Sequence, residues 1–304
     1  MPTLAFAMAF VAAVLAAQNP PADPVAVLAA ARTALGGEAR LSAVRTLVAT
    51  GRTRQVRGDN LVPIEFEIAI ELPDKYLRKD EVPAQESGPT STGFNGDTLI
   101  EAPSPAPSAG RPGGPPAPTP DQIEAGRRLR VVGVKQDFSR LMLGLFASSF
   151  NSYPLTFTYV GQAEAPQGTA DVLEAKGPAG GANLTLRFFV HRDTHLPVMI
   201  TWQGIVPGAG RGPGPGRGAG PPPGGAVSPA APGGPAAGPA AGRGATPPAL
   251  QENRIYFADY RDVDGVKFPF RLRRAVGQDT IEETTFDRFR INAKIDPKKF
   301  EVRK

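Results

Sequence analysis

The sequence predicts an α+β protein built on a strongly curved antiparallel sheet, a half-barrel of about 10–11 strands, with helices on its concave face. The clearest strand covers residues 62–72, where apolar and mostly acidic side chains alternate, as a half-buried antiparallel strand requires. Residues 254–291 read as three further strands separated by turn signals at Asp264-Gly265 and Gly277-Gln278. So many strands are rarely held in a flat open sheet, and this predicts the curvature.

Two short helices are expected before the sheet. Asp23 can cap a helix with Pro24 at its first position, and Gly36-Gly37 ends that helix. Residues 38–47 follow as a second helix, because Leu41, Val44 and Leu47 fall on one side. The remaining strands are predicted by alternation and turn placement at residues 48–55, 76–82, 92–101 (bent at Asn95-Gly96), 155–161, 170–176, 184–191 and 197–203.

A third helical region is predicted to begin at Thr119-Pro120-Asp121. Its later part has the spacing of a buried helical stripe, in Phe138, Leu141, Met142, Leu145 and Phe146. That stripe fits either an ordinary core or a lid over a cavity, and the sequence leaves both open.

The organisation of the chain is that of one exported domain with two low-complexity segments. Residues 1–17 are interpreted as a signal peptide, since 4–17 are apolar, uncharged and end in small residues; no Lys or Arg precedes them, so a retained anchor or an apolar helix stays an alternative. Residues 102–118 and 204–250 are dominated by Pro, Gly and Ala and are predicted to be disordered. The folded domain is therefore assigned to residues 23–101, 119–203 and 251–304, in the periplasm, with a possible outer-membrane association.

The residues that catalysis or metal binding would need are sparse. There is no cysteine, and the only histidines, His191 and His195, lie four apart in a strand region, a separation of about 13 Å in an extended chain. Asp259, Asp262 and Asp264 lack the acidic ends of a calcium loop and are read as turn residues. The pairs Glu282/Glu283 and Glu65/Glu67 could suggest a two-carboxylate hydrolase, but Glu65 and Glu67 share the polar face of one strand, and a solvated face is the preferred interpretation.

These observations predict a protein that is not an enzyme and uses no metal or cofactor. The net charge is +5, but the arginines are scattered and no nucleic-acid-binding motif is present, so nucleic acid is not expected as a partner.

Several segments resemble the LolA/LolB-like proteins of the bacterial envelope: ALGGEARLSAVRTLVATG, FNGDTLIE, THLPVMITW, YFADYRDVDGVKFPF and INAKIDPKKF. The resemblance covers about 220 residues and lies in structural punctuation, such as Gly36-Gly37, Asn95-Gly96 and Asp264-Gly265. It implies a periplasmic half-barrel with lid helices that carries an acylated lipoprotein or lipid. It also implies an envelope receptor protein as a partner.

The expected function is non-catalytic binding of a lipoprotein acyl chain or another apolar ligand in envelope biogenesis. The alternative is a structural or protein-interaction module of the envelope with no ligand cavity. The side chains expected to line a cavity are Ile64, Phe66, Ile68, Ile70, Phe138, Leu141, Met142, Leu145, Leu184, Leu186, Phe188, Phe268 and Phe270.

Overall fold

A computed structural model describes residues 23–83, 88–103, 117–178, 184–205 and 250–301 of the chain. The proposed leader at 1–17 and most of the two Pro/Gly/Ala segments lie outside the described residues. The helices are α1 (Pro24–Ala34), α2 (Glu38–Ala43), α3 (Pro120–Phe146) and a C-terminal 3₁₀ helix (Pro297–Phe300). The strands are β1 (Thr46–Arg57), β2 (Asn60–Glu71), β3 (Lys75–Glu81), β4 (Thr90–Asn95), β5 (Thr98–Ala102), β6 (Thr156–Ala165), β7 (Gly168–Lys176), β8 (Thr185–His191), β9 (Pro197–Ile205), β10 (Leu250–Val263), β11 (Val266–Val276) and β12 (Asp279–Ile291).

All the described strands belong to one open antiparallel sheet of 12 strands in the order β5-β4-β3-β2-β1-β12-β11-β10-β9-β8-β7-β6. The sheet consists of two meanders, β1–β5 and β6–β12, which join where β1 pairs with β12. The expected number of about 10–11 strands was too low. Residues 92–101 form two strands, because a tight turn at Gly96-Asp97 lets Asn95 pair with Thr98. The turn lies one residue later than the Asn95-Gly96 pair suggested.

The first helix begins as predicted, since the Asp23 carboxylate accepts a hydrogen bond from the Val25 amide at 3.0 Å. The second helix is shorter than expected and ends at Ala43, where Val44 takes an extended conformation. Leu47 therefore lies on β1, opposite Ile70 and Ile291 of the neighbouring strands. Pairing on both sides of Leu47 outweighs the helical spacing that the sequence shows at this point.

The long helix α3 connects the two edge strands, β5 and β6. It starts at a capping box, in which the Thr119 side chain accepts from the Gln122 amide and the Gln122 side chain accepts from the Thr119 amide. It ends at Ala147, which has a left-handed backbone with φ of 47°. No helix among the described residues has the length and apolar character of a membrane span.

Most of the core lies between one face of the sheet and helices α1, α2 and α3. Phe66, Ile68 and Ile70 of β2 share this face with Phe188 of β8 and Phe268 of β11. Two smaller apolar clusters lie apart from this core, one on β7–β9 and one where Phe300 of the 3₁₀ helix packs against β2, β3 and β5. We call the face that carries the main core the helix-covered face.

The chain returns beside the strand it left when it passes through residues 206–249. Ile205 at the end of β9 is paired with Leu250 at the start of β10. Residues 206–249 therefore connect two strands that are neighbours in the sheet.

Candidate functional site

A cavity of about 440 Å³ lies between α3 and the helix-covered face of the sheet. Its walls come from α3, from β1–β4 and from β10–β12, so both meanders contribute. Among the wall residues of α3 are Val134, Asp137 and Leu141, one turn apart. The volume falls within the range of about 300–1,000 Å³ that is typical of small-molecule sites.

The floor of the cavity is apolar. The buried side chains among its walls include Ile68 and Phe257, which are 3% and 0% exposed. The apolar wall residues are Ile64, Ile68, Tyr76, Val82, Val134, Leu141, Ile255, Phe257, Leu272 and Phe286.

The rest of the wall is polar and includes ionised side chains. Several of these residues, such as Arg57, Thr90 and Thr92, are exposed and mark the rim. The polar wall residues are Gln55, Arg57, Arg78, Asp80, Thr90, Thr92, Asp137, Arg274, Glu282 and Thr284. We call these polar wall residues the rim. Its three arginines balance its three carboxylates in formal charge, so the cavity has an apolar floor and an ionised but formally neutral rim.

A directed chain of hydrogen bonds crosses the sheet and joins two charged residues of this rim, Arg78 and Glu282. An Arg78 guanidinium nitrogen donates to the Thr53 hydroxyl at 3.3 Å, and the Thr53 and Thr284 hydroxyls are 2.8 Å apart. Thr284 in turn donates to the Glu282 carboxylate at 3.3 Å. Each hydroxyl has one proton, so Thr53 must donate to Thr284. Both threonines are buried, and the chain fixes Glu282, which is 8% exposed.

The guanidinium of Arg78 is held by two further contacts. It donates to Asp80 at 2.8 Å and lies 4.8 Å from the centre of the Phe66 ring. Burial alone would lower the pKa of Arg78, but attraction to Asp80, Tyr76 and Glu282 outweighs it and raises that pKa. Arg78 is therefore a fixed cation at this end of the cavity.

Across the cavity, α3 carries a second buried cation. Arg140 donates to Asp137 at 2.6 Å and stacks on Trp202 of β9, with 4.2 Å between the guanidinium carbon and the ring centre. Its Nε is buried and has no hydrogen-bond partner among the described residues. Burial, and secondarily repulsion from Arg274, lowers the pKa of Arg140, while Asp137 opposes the shift.

The structure places three of the predicted cavity residues on the cavity wall: Ile64, Ile68 and Leu141. The other ten lie in the surrounding core rather than on the wall. These are Phe66, Ile70, Phe138, Met142, Leu145, Leu184, Leu186, Phe188, Phe268 and Phe270. A role for any of the thirteen in binding a ligand stays a prediction.

The polar half of the wall was missed in the sequence. A signal existed, because Arg274 has the same strand parity as Phe268, Phe270 and Leu272, so it must share their face of β11. In the same way, Glu282 and Thr284 share the parity of Phe286 on β12. Arg274 and Glu282 thus occupy positions at which the alternation of β11 and β12 would otherwise place apolar side chains. Charged residues at such positions on adjacent strands indicate a polar site on the covered face of the sheet.

The other polar clusters considered from the sequence have local roles. The His191 ring accepts hydrogen bonds at Nδ1 from the amides of Asp193 and Thr194, within a tight turn. Asp262 accepts from the Gly265 amide at 3.0 Å in the β10–β11 turn. In the part of the chain that the structure describes, no group of three or more His, Asp or Glu residues is placed to hold a metal ion.

The fold and cavity define an open antiparallel sheet protein with an internal, half-apolar site. No protein-family model matches the chain, and no curated protein matches it. Similar solved structures include one described as an outer membrane lipoprotein-sorting protein domain from Vibrio parahaemolyticus, with a TM-score of 0.47 and 10% identity over 91% of this chain and 97% of that one. A LolA superfamily protein from Nitrosomonas europaea has a TM-score of 0.47 and 11% identity over 89% of this chain and 97% of its own.

A third similar structure is a DUF1329 family protein from Desulfovibrio piger, with a TM-score of 0.42 and 10% identity over 92% of this chain and 98% of its own. The structural neighbours thus include proteins of the kind that the sequence resembles. At this level of similarity their functions are not transferred to this chain, whose function has to be inferred from its own cavity.

Proposed function

We propose that the protein binds an apolar chain reversibly in the cavity between α3 and the sheet, without catalysis. The observation that carries this proposal is the cavity itself, about 440 Å³ in volume with a buried apolar floor. Each buried methylene group of a ligand would contribute about 0.8 kcal/mol. The proposed role is that of a carrier in the cell envelope, with an acylated molecule as cargo and a receptor protein that accepts it.

We further propose that the sheet curves around α3, which places this helix on the concave face. Phe138 packs on Tyr76 of β3 and Phe94 of β4, with ring centres 5.4 and 5.3 Å apart. Two residues later, Arg140 stacks on Trp202 of β9.

The distances between strands support this curvature. Strands β4 and β9 are seven positions apart in the sheet order, about 34 Å if the sheet were flat at roughly 4.8 Å per strand. A helix with its side chains is only about 10–12 Å in diameter, and residues two apart are separated by about 3 Å along its axis. Contacts from neighbouring helical residues to both strands therefore favour a sheet that wraps around the helix.

The test is titration of the purified chain with a fluorescent long-chain fatty acid, together with mass spectrometry of lipid that co-purifies from envelope. We expect saturable binding by the native chain and loss of that binding in Leu141→Trp, because the indole fills the cavity beside α3. The matched control is Leu129→Trp on the same helix, where Leu129 is 63% exposed and should tolerate the change.

Two results would oppose the proposal. One is the absence of both saturable binding and co-purifying lipid from the native chain. The other is equal binding by Leu141→Trp and the native chain, which would move the ligand out of this cavity.

A further inference from the structure

The polar rim restricts which apolar ligand fits the cavity. A pure hydrocarbon would cover ionised side chains and leave their hydrogen-bonding groups unsatisfied, which is unfavourable for each group and most unfavourable where the group is charged. A ligand with one apolar and one polar end matches the floor and the rim together. This step rests on the proposed function, because it assumes that the cavity binds a ligand.

The size of the cavity limits the number of chains. A methylene group is close in size to a water molecule, which occupies about 30 Å³ in the liquid. A volume of about 440 Å³ therefore holds roughly fifteen such groups, enough for one long chain. Two or three chains of that length would not be enclosed.

The charges on the rim differ in how well they are paired. Asp80 is hydrogen-bonded to Arg78 at 2.8 Å, and Asp137 to Arg140 at 2.6 Å. The side chain of Arg274 makes no hydrogen bond within the described residues, and its nearest carboxylate oxygen, on Glu282, is 3.9 Å away. Glu282 already accepts from Thr284.

Of the three rim arginines, Arg57 donates to Gln55 and Arg78 donates to Asp80, both at 2.8 Å. Within the described residues Arg274 is thus the rim arginine whose side-chain donors are all free of hydrogen bonds. A guanidinium has five N–H donors in a fixed fork that fits a carboxylate or phosphate. Its side chain is 37% exposed, so a ligand can reach it from the rim. Arg274 also lies close enough to the buried Arg140 for the two to repel each other, and an anion beside Arg274 would relieve that repulsion.

We propose that the cavity takes a single-chain amphiphile with an anionic head, and that Arg274 binds this head while the chain lies on the floor formed by Ile68, Leu141 and Phe257. The side chain of Arg274 is the specificity-determining group. Burial of the hydrocarbon chain supplies the affinity, and the guanidinium of Arg274 selects ligands whose head group is negatively charged.

The experiment compares three probes with the same twelve-carbon chain: dodecanoate, dodecan-1-ol and dodecyltrimethylammonium, each used below its micelle concentration to displace a fluorescent fatty acid. We expect the native chain to bind dodecanoate at least about tenfold more tightly than the alcohol, and the ammonium compound most weakly. In Arg274→Gln the carboxylate should lose about tenfold in affinity while the alcohol changes by less than about twofold.

Arg273→Gln is the matched control, since Arg273 is the adjacent residue of β11 with opposite parity and stacks on Tyr256 instead. Equal binding of the three probes to the native chain, or equal losses in the two variants, would overturn the head-group assignment and leave the carrier proposal intact. If no twelve-carbon probe binds, both proposals fail together. The comparison of probes on the native chain needs no variant, so it decides the matter even where Arg274→Gln does not fold.

Discussion

Gly144 of α3 lies directly against the ring of Phe257 on β10. A Cβ at position 144 would be 2.0 Å from the ring carbon Cε1, well inside any allowed contact. The absence of a side chain at Gly144 therefore permits the close approach of α3 to the sheet, beside the wall residue Phe257. The backbone carbonyl of Gly144 also lies 3.1 Å from the Tyr260 hydroxyl, which strengthens the same contact.

Replacing Gly144 by Ala should destabilise the protein, although Ala is the better helix former. Helix propensity would contribute up to about 1 kcal/mol in favour of Ala, whereas overpacking costs typically about 1–3 kcal/mol or more. We expect a net loss in the free energy of unfolding, measured by urea denaturation.

Gly133→Ala provides the control for this prediction. Gly133 lies on the same helix, and a Cβ there would meet no atom within 4 Å. This variant should be about 0.5–1 kcal/mol more stable than the native chain. Equal effects of the two substitutions would show that the contact between Gly144 and Phe257 is not tight.

The hydrogen-bond chain from Arg78 to Glu282 predicts unequal effects of its two threonines. Thr284→Val removes the hydroxyl that donates to the buried carboxylate of Glu282, whereas Thr53→Val leaves that bond intact. We expect Thr284→Val to cost about 1–3 kcal/mol and Thr53→Val to cost less, measured by chemical denaturation. The double variant should cost less than the two single changes added together, since one bond joins the two hydroxyls. Strict additivity would mean that the two hydroxyls are not coupled.

The ion pair between Asp97 and Lys135 predicts a dependence of stability on acid. The side chain of Lys135 is only 9% exposed, and it donates a hydrogen bond to the fully exposed carboxylate of Asp97 at 2.6 Å. The hydrogen bond and the charge of Lys135 lower the pKa of Asp97. The unfolded chain therefore binds a proton at higher pH, near the ordinary value of about 3.9. The stabilisation is present above that value and is lost as the pH falls through the lower pKa of the folded state.

Urea denaturation of the native chain and Asp97→Asn from pH 7 to pH 2 measures this effect. The native chain should be the more stable at pH 7, and the difference should shrink below about pH 4. Asp59→Asn, at an exposed position in the β1–β2 turn, is the control and should show a smaller difference. A difference between native and Asp97→Asn that stays constant over this range contradicts the assignment.

The periodicity of the sequence was sufficient to predict the strands of the sheet, but it was not sufficient to predict the cavity. Strand β2 was recognisable because Ile64, Phe66, Ile68 and Ile70 all face the core, so burial and alternation coincide. The cavity was not, because it depends on how far α3 stands from the sheet. That distance is set by close contacts such as Gly144 on Phe257, which join residues more than a hundred positions apart.

The ionised rim escaped notice for a related reason. Arg274 follows Arg271 and Arg273 in a run of basic residues, and such a run is usually solvated. Arg274 differs from its basic neighbours only in that it alternates in step with Phe268 and Phe270 and so shares their face of the strand. That alternation becomes informative once the strand register is known.

The segment 206–249 provides the last prediction, which also separates the carrier from the interaction module. Because Ile205 and Leu250 are already paired, a four-residue turn such as Gly-Asn-Gly-Ser should close β9 and β10 directly. Shortening the connection roughly tenfold removes three or so doublings of loop length, which corresponds to a stabilisation of about 2 kcal/mol. We therefore expect the shortened chain to fold, with an unchanged or raised melting temperature.

The shortened chain also tests where the ligand binds. It should keep the affinity of the native chain for the fluorescent fatty acid, since the wall residues that the structure describes all lie outside the removed segment. A shortened chain that folds and binds no fatty acid, while the native chain does, would assign the segment a direct part in binding and would contradict a site formed by α3 and the sheet alone.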